Sequence, residues 1–103
     1  MHLVNTTFLV ESSLEKQFPS EIEDFICMVE KETDMHSPVL TRVNAPKSEE
    51  EPEGTNFALQ FRAPTGEAMR KYHDELLPQL FRMLFKRHGE KVLYFTTILD
   101  VIR

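Results

Sequence analysis

Glu90-Lys-Val-Leu-Tyr-Phe-Thr-Thr-Ile-Leu-Asp-Val-Ile102 is the stretch on which the fold turns. It follows Gly89 directly, contains neither Gly nor Pro, and is dense in β-branched and aromatic residues, the composition of one long strand. Successive strand side chains point to opposite faces, which sets Leu93, Phe95, Leu99 and Val101 on one side and Val92, Tyr94, Ile98 and Ile102 on the other. Both sides are apolar and both need cover, whereas one layer of helices covers only one of them. A chain of 103 residues has little left for the second side. A partner subunit is therefore the expected supplier.

Working outward, Leu3 to Glu11 alternates as a strand, with Val4, Thr6, Phe8 and Val10 on the face expected to be core and Leu3, Asn5, Thr7 and Leu9 on a semi-polar face. Ser12 and Ser13 break that alternation. Leu14, Phe18, Ile22, Phe25, Ile26 and Val29 then recur at helical spacing. Pro19 divides this segment, so a short turn over Ser13–Phe18 and a main helix from Pro19 or Ser20 to about Glu32 are expected. Val39–Asn44 and Thr55–Arg62 read as the second and third strands. Between them, residues 45–54 carry Pro46, Pro52, Gly54 and an acidic run, and read as an exposed hairpin loop in which the acids are solvated. After Ala63-Pro64-Thr65-Gly66, a helix from about Glu67 has Met69, Tyr72, Leu76, Leu80 and Leu84 on one side, joined by Leu77, Phe81 and Phe85. Pro78 should kink or restart that helix, and Lys86-Arg87-His88-Gly89 supplies cations for its dipole and a glycine stop.

The order strand, helix, strand, strand, helix, strand makes a single domain over residues 1–103, two split βαβ halves. With right-handed crossovers they build an α+β, ferredoxin-like βαββαβ fold, a four-stranded antiparallel sheet in the order 4-1-3-2 with both helices on one face. The final strand falls at an edge. A long edge strand that is apolar on both faces is not left bare, and homodimerisation through the sheet face and that strand follows as an expectation. Val92, Tyr94 and Ile98 are the expected interface residues.

Composition narrows the rest. A hydrophobic fraction of 41% suits a soluble globular domain, and no apolar run approaches the ~20 residues of a membrane helix. The first residues have neither a basic region nor a long apolar run, which makes the cytoplasm the expected location. A net charge of −5 disfavours the phosphate backbone of nucleic acid. The basic cluster Arg82, Lys86, Arg87, His88 and Lys91 is accounted for by the end of a helix. Cys27, the sole cysteine, reads as a small buried hydrophobe inside Phe25-Ile26-Cys27-Met28-Val29.

Two stretches carry a resemblance: Asn5-Thr6-Thr7-Phe8-Leu9-Val10, and Gly89-Glu90-Lys91-Val92-Leu93-Tyr94-Phe95-Thr96-Thr97, with Ala58-Leu59-Gln60-Phe61 as a weaker third. In order and spacing the chain resembles a small bacterial family known only as a domain of unknown function, whose members have about this length. The resemblance implies a fold similar to the dimeric α/β-barrel group, in which two ferredoxin-like sheets pack face to face. Pro78 is similar to the proline that opens the second part of the last helical region in such proteins. No activity comes with the resemblance.

The residues themselves show no catalytic signature. His2, His36, His73 and His88 are scattered without the spacing of a zinc pair, and no metal or cofactor is expected. There is no nucleophile elbow, P-loop or dinucleotide fingerprint. Thr55–Phe61 is faintly similar to the aromatic strand of an RNA-recognition motif but lacks its leading basic-glycine pair. The suggestive constellation is the sheet face opposite the helices, where Asn5, Thr7, Gln60, Arg62 and Arg42 would be buried in a face-to-face dimer. They would pair with one another across a two-fold axis or hold a small polar or anionic ligand. Tyr72 and His73 adjoin on the second helix and complete the candidate ligand-binding set. The expected function is a structural or small-ligand-binding homodimeric module. The alternative is a cofactor-independent monooxygenase-like enzyme acting on a small aromatic or polyketide-like substrate, with His73, Tyr72 or Asn5 as its polar groups. An internal pocket with convergent polar groups would separate the two.

Overall fold

Alternation in the first strand decides the layering. In the computed structural model, which describes residues 1–43 and 54–102, β1 spans His2–Val10, and its Val4, Thr6, Phe8 and Val10 are fully buried. A 3-10 turn, Ser12–Leu14, leads to α1 (Phe18–Glu32), where Pro19 sits in the first turn and loses no helical hydrogen bond. β2 (His36–Arg42), β3 (Thr55–Ala63), α2 (Gly66–Lys71), α3 (Leu77–His88) and β4 (Val92–Asp100) complete the chain. The strands form one antiparallel sheet in the order β2-β3-β1-β4, which is the expected ferredoxin-like order read from the other edge.

Both helical layers cover one face. Phe18, Ile22, Phe25, Ile26 and Val29 of α1, with Leu77, Leu80 and Leu84 of α3, close over Val4, Phe8, Val10, Phe57, Leu59 and Phe61. Phe18 sits between strands, edge-on to Phe8 and tilted against Phe57, with ring centroids 5.1 Å apart in each case. The helices are also tied to each other at their ends. His88 Nε2 lies 3.0 Å from both carboxylate oxygens of Glu21, in side chains only 9% and 13% exposed, and Arg87 reaches the same carboxylate at 3.2 Å. Glu21 stands in the first turn of α1, where a carboxylate is favoured by the helix dipole. At the other end of α1, the Thr33 hydroxyl donates to the Val29 carbonyl at 2.8 Å and accepts from the Met35 amide at 3.0 Å, which turns the chain into β2.

Pro78 restarts the second helix by a specific device. Lacking an N–H and crowding the carbonyl one turn back, it cannot continue an ordinary helix. The turn Tyr72–Leu76 widens to π geometry, with the Leu77 amide bonded to the Tyr72 carbonyl, and Pro78 falls in the first turn of α3. The Thr65 hydroxyl accepts from the Ala68 amide at 3.1 Å and caps the start of this helical run.

Several expectations are corrected. β2 begins at His36, before Val39, through an irregular pairing in which Ser37 takes φ 54° ahead of Pro38. β4 starts at Val92 because Gly89, at φ 59°, opens a 3-10 turn over Gly89–Lys91. Cys27 is exposed, since the neighbouring Phe25, Ile26 and Val29 take the sheet-facing stripe of α1. Arg42 points to the helix side, where it pairs with Glu15 at 2.9 Å. Phe81 and Phe85 lie one step past Leu80 and Leu84, so that Phe81 packs half-buried at the margin of the core and Phe85 turns to the surface. Phe81 stacks on Tyr94 at 3.7 Å, and Phe85 is 65% exposed. The expected hairpin loop, Gly54 apart, lies outside the described residues.

Leu59 is fully buried at the centre of the sheet. Leu59→Ala should lower unfolding free energy by about 2–5 kcal/mol in urea titrations. Gly89→Val places a β-branched residue at φ 59° and should cost about 1–3 kcal/mol by the same measurement, although no neighbour among the described residues meets its Cβ.

Candidate functional site

Among the described residues, no element covers the face away from the helices. Register fixes its pattern, because Leu3 stands opposite Arg62 and Leu99, Asn5 opposite Gln60 and Thr97, Thr7 opposite Ala58 and Phe95, and Leu9 opposite Asn56 and Leu93. On β2, Val39 stands opposite Gln60, and Thr41 opposite Ala58. The result is an apolar surface of Leu3, Leu9, Val39, Leu93, Phe95 and Leu99, with Phe95 62% exposed. One polar row crosses it, Gln60–Asn5–Thr97, with Thr7 alongside. The Asn5 amide donates to Thr7 Oγ1 at 3.3 Å. Arg62 stands toward one end of this face, 3.7 Å from the Met1 sulfur.

A second polar feature lies on the opposite side of the sheet, under the π turn. Thr6 and Thr96, cross-strand partners, share a hydroxyl–hydroxyl bond of 3.2 Å, and Thr6 is fully buried. Tyr72 is also fully buried, packed against Phe61 at 5.2 Å and Phe25 at 6.0 Å. Its hydroxyl closes no hydrogen bond of ordinary geometry among the described residues. Burial pushes the phenol well above its ordinary value of 10.0, an effect that the nearby Thr6 hydroxyl offsets only in part.

The sequence candidates thus separate into three places. Asn5, Thr7, Gln60 and Arg62 share the open face. Tyr72 lies in the core on the far side of the sheet. His73, next in sequence, is exposed and bonded to its neighbour Asp74 at 2.9 Å. Val92, Tyr94 and Ile98 are on the helix side of β4, as the pairing of Val92 with core residue Val10 requires. Val92 is sealed in the protomer's own core at 4% exposure and Tyr94 is stacked on Phe81, so the open side of β4 is Leu93, Phe95, Thr97 and Leu99 instead. Sequence reasoning passed over Thr97, because only cross-strand register aligns it with Asn5. Surface grooves of about 490 Å³, beside Pro19, Leu40 and Phe57, and about 410 Å³, beside Phe81, Phe85 and Tyr94, are lined by neither Asn5, Tyr72 nor His73. Among the described residues no cluster of His, Cys, Asp and Glu is arranged to hold a metal ion, and no helix is long and apolar enough to cross a membrane.

Over residues 1–102 the sequence matches the family described as Domain of unknown function (DUF4286). The chain belongs to that family. A comparison with curated proteins gave no match for this DUF4286 domain. Among solved structures, it is similar to a dimeric ferredoxin-like protein from an uncultured marine organism, at 10% identity and a TM-score of 0.73 over 99% of this chain and 95% of that one. It is also similar to a putative antibiotic biosynthesis monooxygenase from Deinococcus radiodurans, at 12% identity and a TM-score of 0.69 over 100% and 94%. Rv0793 from Mycobacterium tuberculosis gives 15% identity and a TM-score of 0.63 over 99% and 95%. At these identities the likeness shows the fold that the DUF4286 domain shares with them.

An orphaned hydroxyl costs free energy, so Tyr72→Phe should leave the DUF4286 domain as stable or up to about 1 kcal/mol more stable in urea. Folded Tyr72 keeps its proton beyond the pH at which the unfolded chain releases it, so its contribution to stability is complete below the ordinary phenol value of 10.0 and falls above it. Stability should drop by up to about 1.4 kcal/mol per pH unit above that point. Urea midpoints at pH about 9 and about 11 should show Tyr72→Phe removing that share of the slope.

Proposed function

We propose that this domain is a self-associating module of the cytoplasm, two copies meeting through the uncovered sheet face and the final strand. The observation that carries this reading is the open side of β4, where Leu93, Phe95 and Leu99 stand together in water on an edge strand. Apolar surface in a contiguous patch is driven out of water by about 25 cal/mol per Å². Four strands about 4.8 Å apart and about 30 Å long present roughly 570 Å² in projection. Side-chain relief raises that figure toward the roughly 800 Å² per partner of a stable interface. Two solved structures of this fold are dimeric ferredoxin-like proteins, which supports a second copy as the occupant.

An oxygenase-like activity, after the neighbours named as antibiotic biosynthesis monooxygenases, has no comparable support. Asn5 and Tyr72 are on opposite sides of the sheet, and His73 is engaged with Asp74 at the surface. A small polar ligand held by Asn5, Thr7, Gln60 and Arg62 is compatible with the dimer and would sit inside it.

Size-exclusion chromatography with light scattering should give twice the chain mass of 12.1 kDa. Phe95→Asp should shift the protein to a folded monomer, weakening association at least ~100-fold, because each interface would bury unpaired carboxylates. Tyr94→Asp strikes the Phe81 stack instead and should lower protomer stability by about 1–2 kcal/mol. A wild-type monomer at high concentration would overturn the proposal.

A further inference from the structure

At the centre of the open face, between leucines and Phe95, runs a polar row of two amides and a hydroxyl, while Arg62 and Asn56 stand toward its ends. Gln60 and Asn5 face each other across β3 and β1, and Thr97 continues the row onto β4. Apart from the contact of Asn5 with Thr7, these side chains have no side-chain partner among the described residues. Each carboxamide carries both a donor and an acceptor. A row of such groups is complementary to itself turned by a two-fold rotation, which an apolar patch or a row of one charge is not.

We infer that the Gln60–Asn5–Thr97 row is the register code of the homodimer, pairing with the same row of a second copy and fixing how the two sheets cross. The inference rests on the face-to-face pairing proposed above. Leu3, Leu9, Leu93, Phe95 and Leu99 supply attraction without direction, since aliphatic surfaces tolerate sliding and rotation. A buried amide does not. Any arrangement that leaves it against leucine strands a donor and an acceptor away from water. Polar groups set in an apolar interface select one geometry and lower affinity in exchange. The strands themselves bear no carboxylate on this face among the described residues, and Arg62 is displaced from the row toward one end. The row is thus uncharged, which favours a second copy over a charged peptide as its complement.

Cys27 provides the test, because it is the sole cysteine and is exposed on α1, on the far side of the sheet from the interface. A nitroxide on Cys27 reports one distance between protomers by double electron–electron resonance, and wild type should give one narrow distribution. In Asn5→Leu/Gln60→Leu the dimer should persist, with its dissociation constant unchanged or lowered up to about tenfold, while the distance distribution broadens or splits. The single variants Asn5→Leu and Gln60→Leu place leucine at half-buried strand positions and are read in the same way should the double variant not fold. An unchanged narrow distance would overturn the register role and leave the dimer standing. A dissociation constant raised about tenfold or more would also overturn it, because the amides would then carry affinity. A wild-type protein with no distance between protomers would overturn the pairing itself and this inference with it.

Discussion

One layer of helices on a four-stranded sheet leaves a face of that sheet to be accounted for, and the rest of the molecule is arranged around this constraint. α1 and α3 commit their apolar stripes to Val4, Phe8, Val10, Phe57, Leu59 and Phe61. They have nothing further to offer, since their outer surfaces carry Glu23, Asp24, Arg82 and Lys86 in water. The uncovered side keeps leucines and a phenylalanine that hydrophobic free energy disfavours in solvent. An uncharged polar row crosses it, where a permanently solvated face would be expected to carry charges.

Much of the architecture was legible because short-range rules and tertiary demand agreed. Val4, Thr6, Phe8 and Val10 alternate without interruption, so β1 announced its core face. Pro19 and Pro78 each marked a helix start or a break, and both fall in a first turn. The failures arose where local composition was ambivalent. Tyr94 and Ile98 are as apolar as Phe95 and Leu99, and nothing within β4 says which set meets the helices. That choice is made by the pairing of Val10 with Val92, a contact between opposite ends of the chain. Cys27 misled for a related reason, since four apolar neighbours outweighed its place off the stripe Phe18, Ile22, Phe25, Ile26 and Val29, which the spacing had already marked.

The candidate site divides along the same line. Alternation alone was enough to set Asn5, Thr7, Gln60 and Arg62 on one face, because residues two apart on a strand share a face. Their grouping with Thr97 into one row depends on register across three strands. Tyr72 stood out as an aromatic polar residue, but burial of its hydroxyl without a partner follows from Phe25 and Phe61 closing around it. The π turn that carries Tyr72 combines Pro78, which cannot be accommodated in the preceding turn, with Leu76 and Leu77, which must both stay inside.

The pairing of the first strand with the last has a consequence for how the molecule reaches this state. β1 is held on one side by β3 and on the other by β4, with His2 meeting Asp100 at 2.7 Å and the Val101 amide bonded to the Met1 carbonyl. Contacts so distant along the polymer require a large loop to close before they return any free energy, which slows folding relative to helical domains of similar size. During synthesis β4 emerges after the other strands and the helices, so β1 spends that interval with one flank unpaired. Thr6 finds its partner only when residue 96 has emerged, and until then the nascent domain is a candidate client for chaperones.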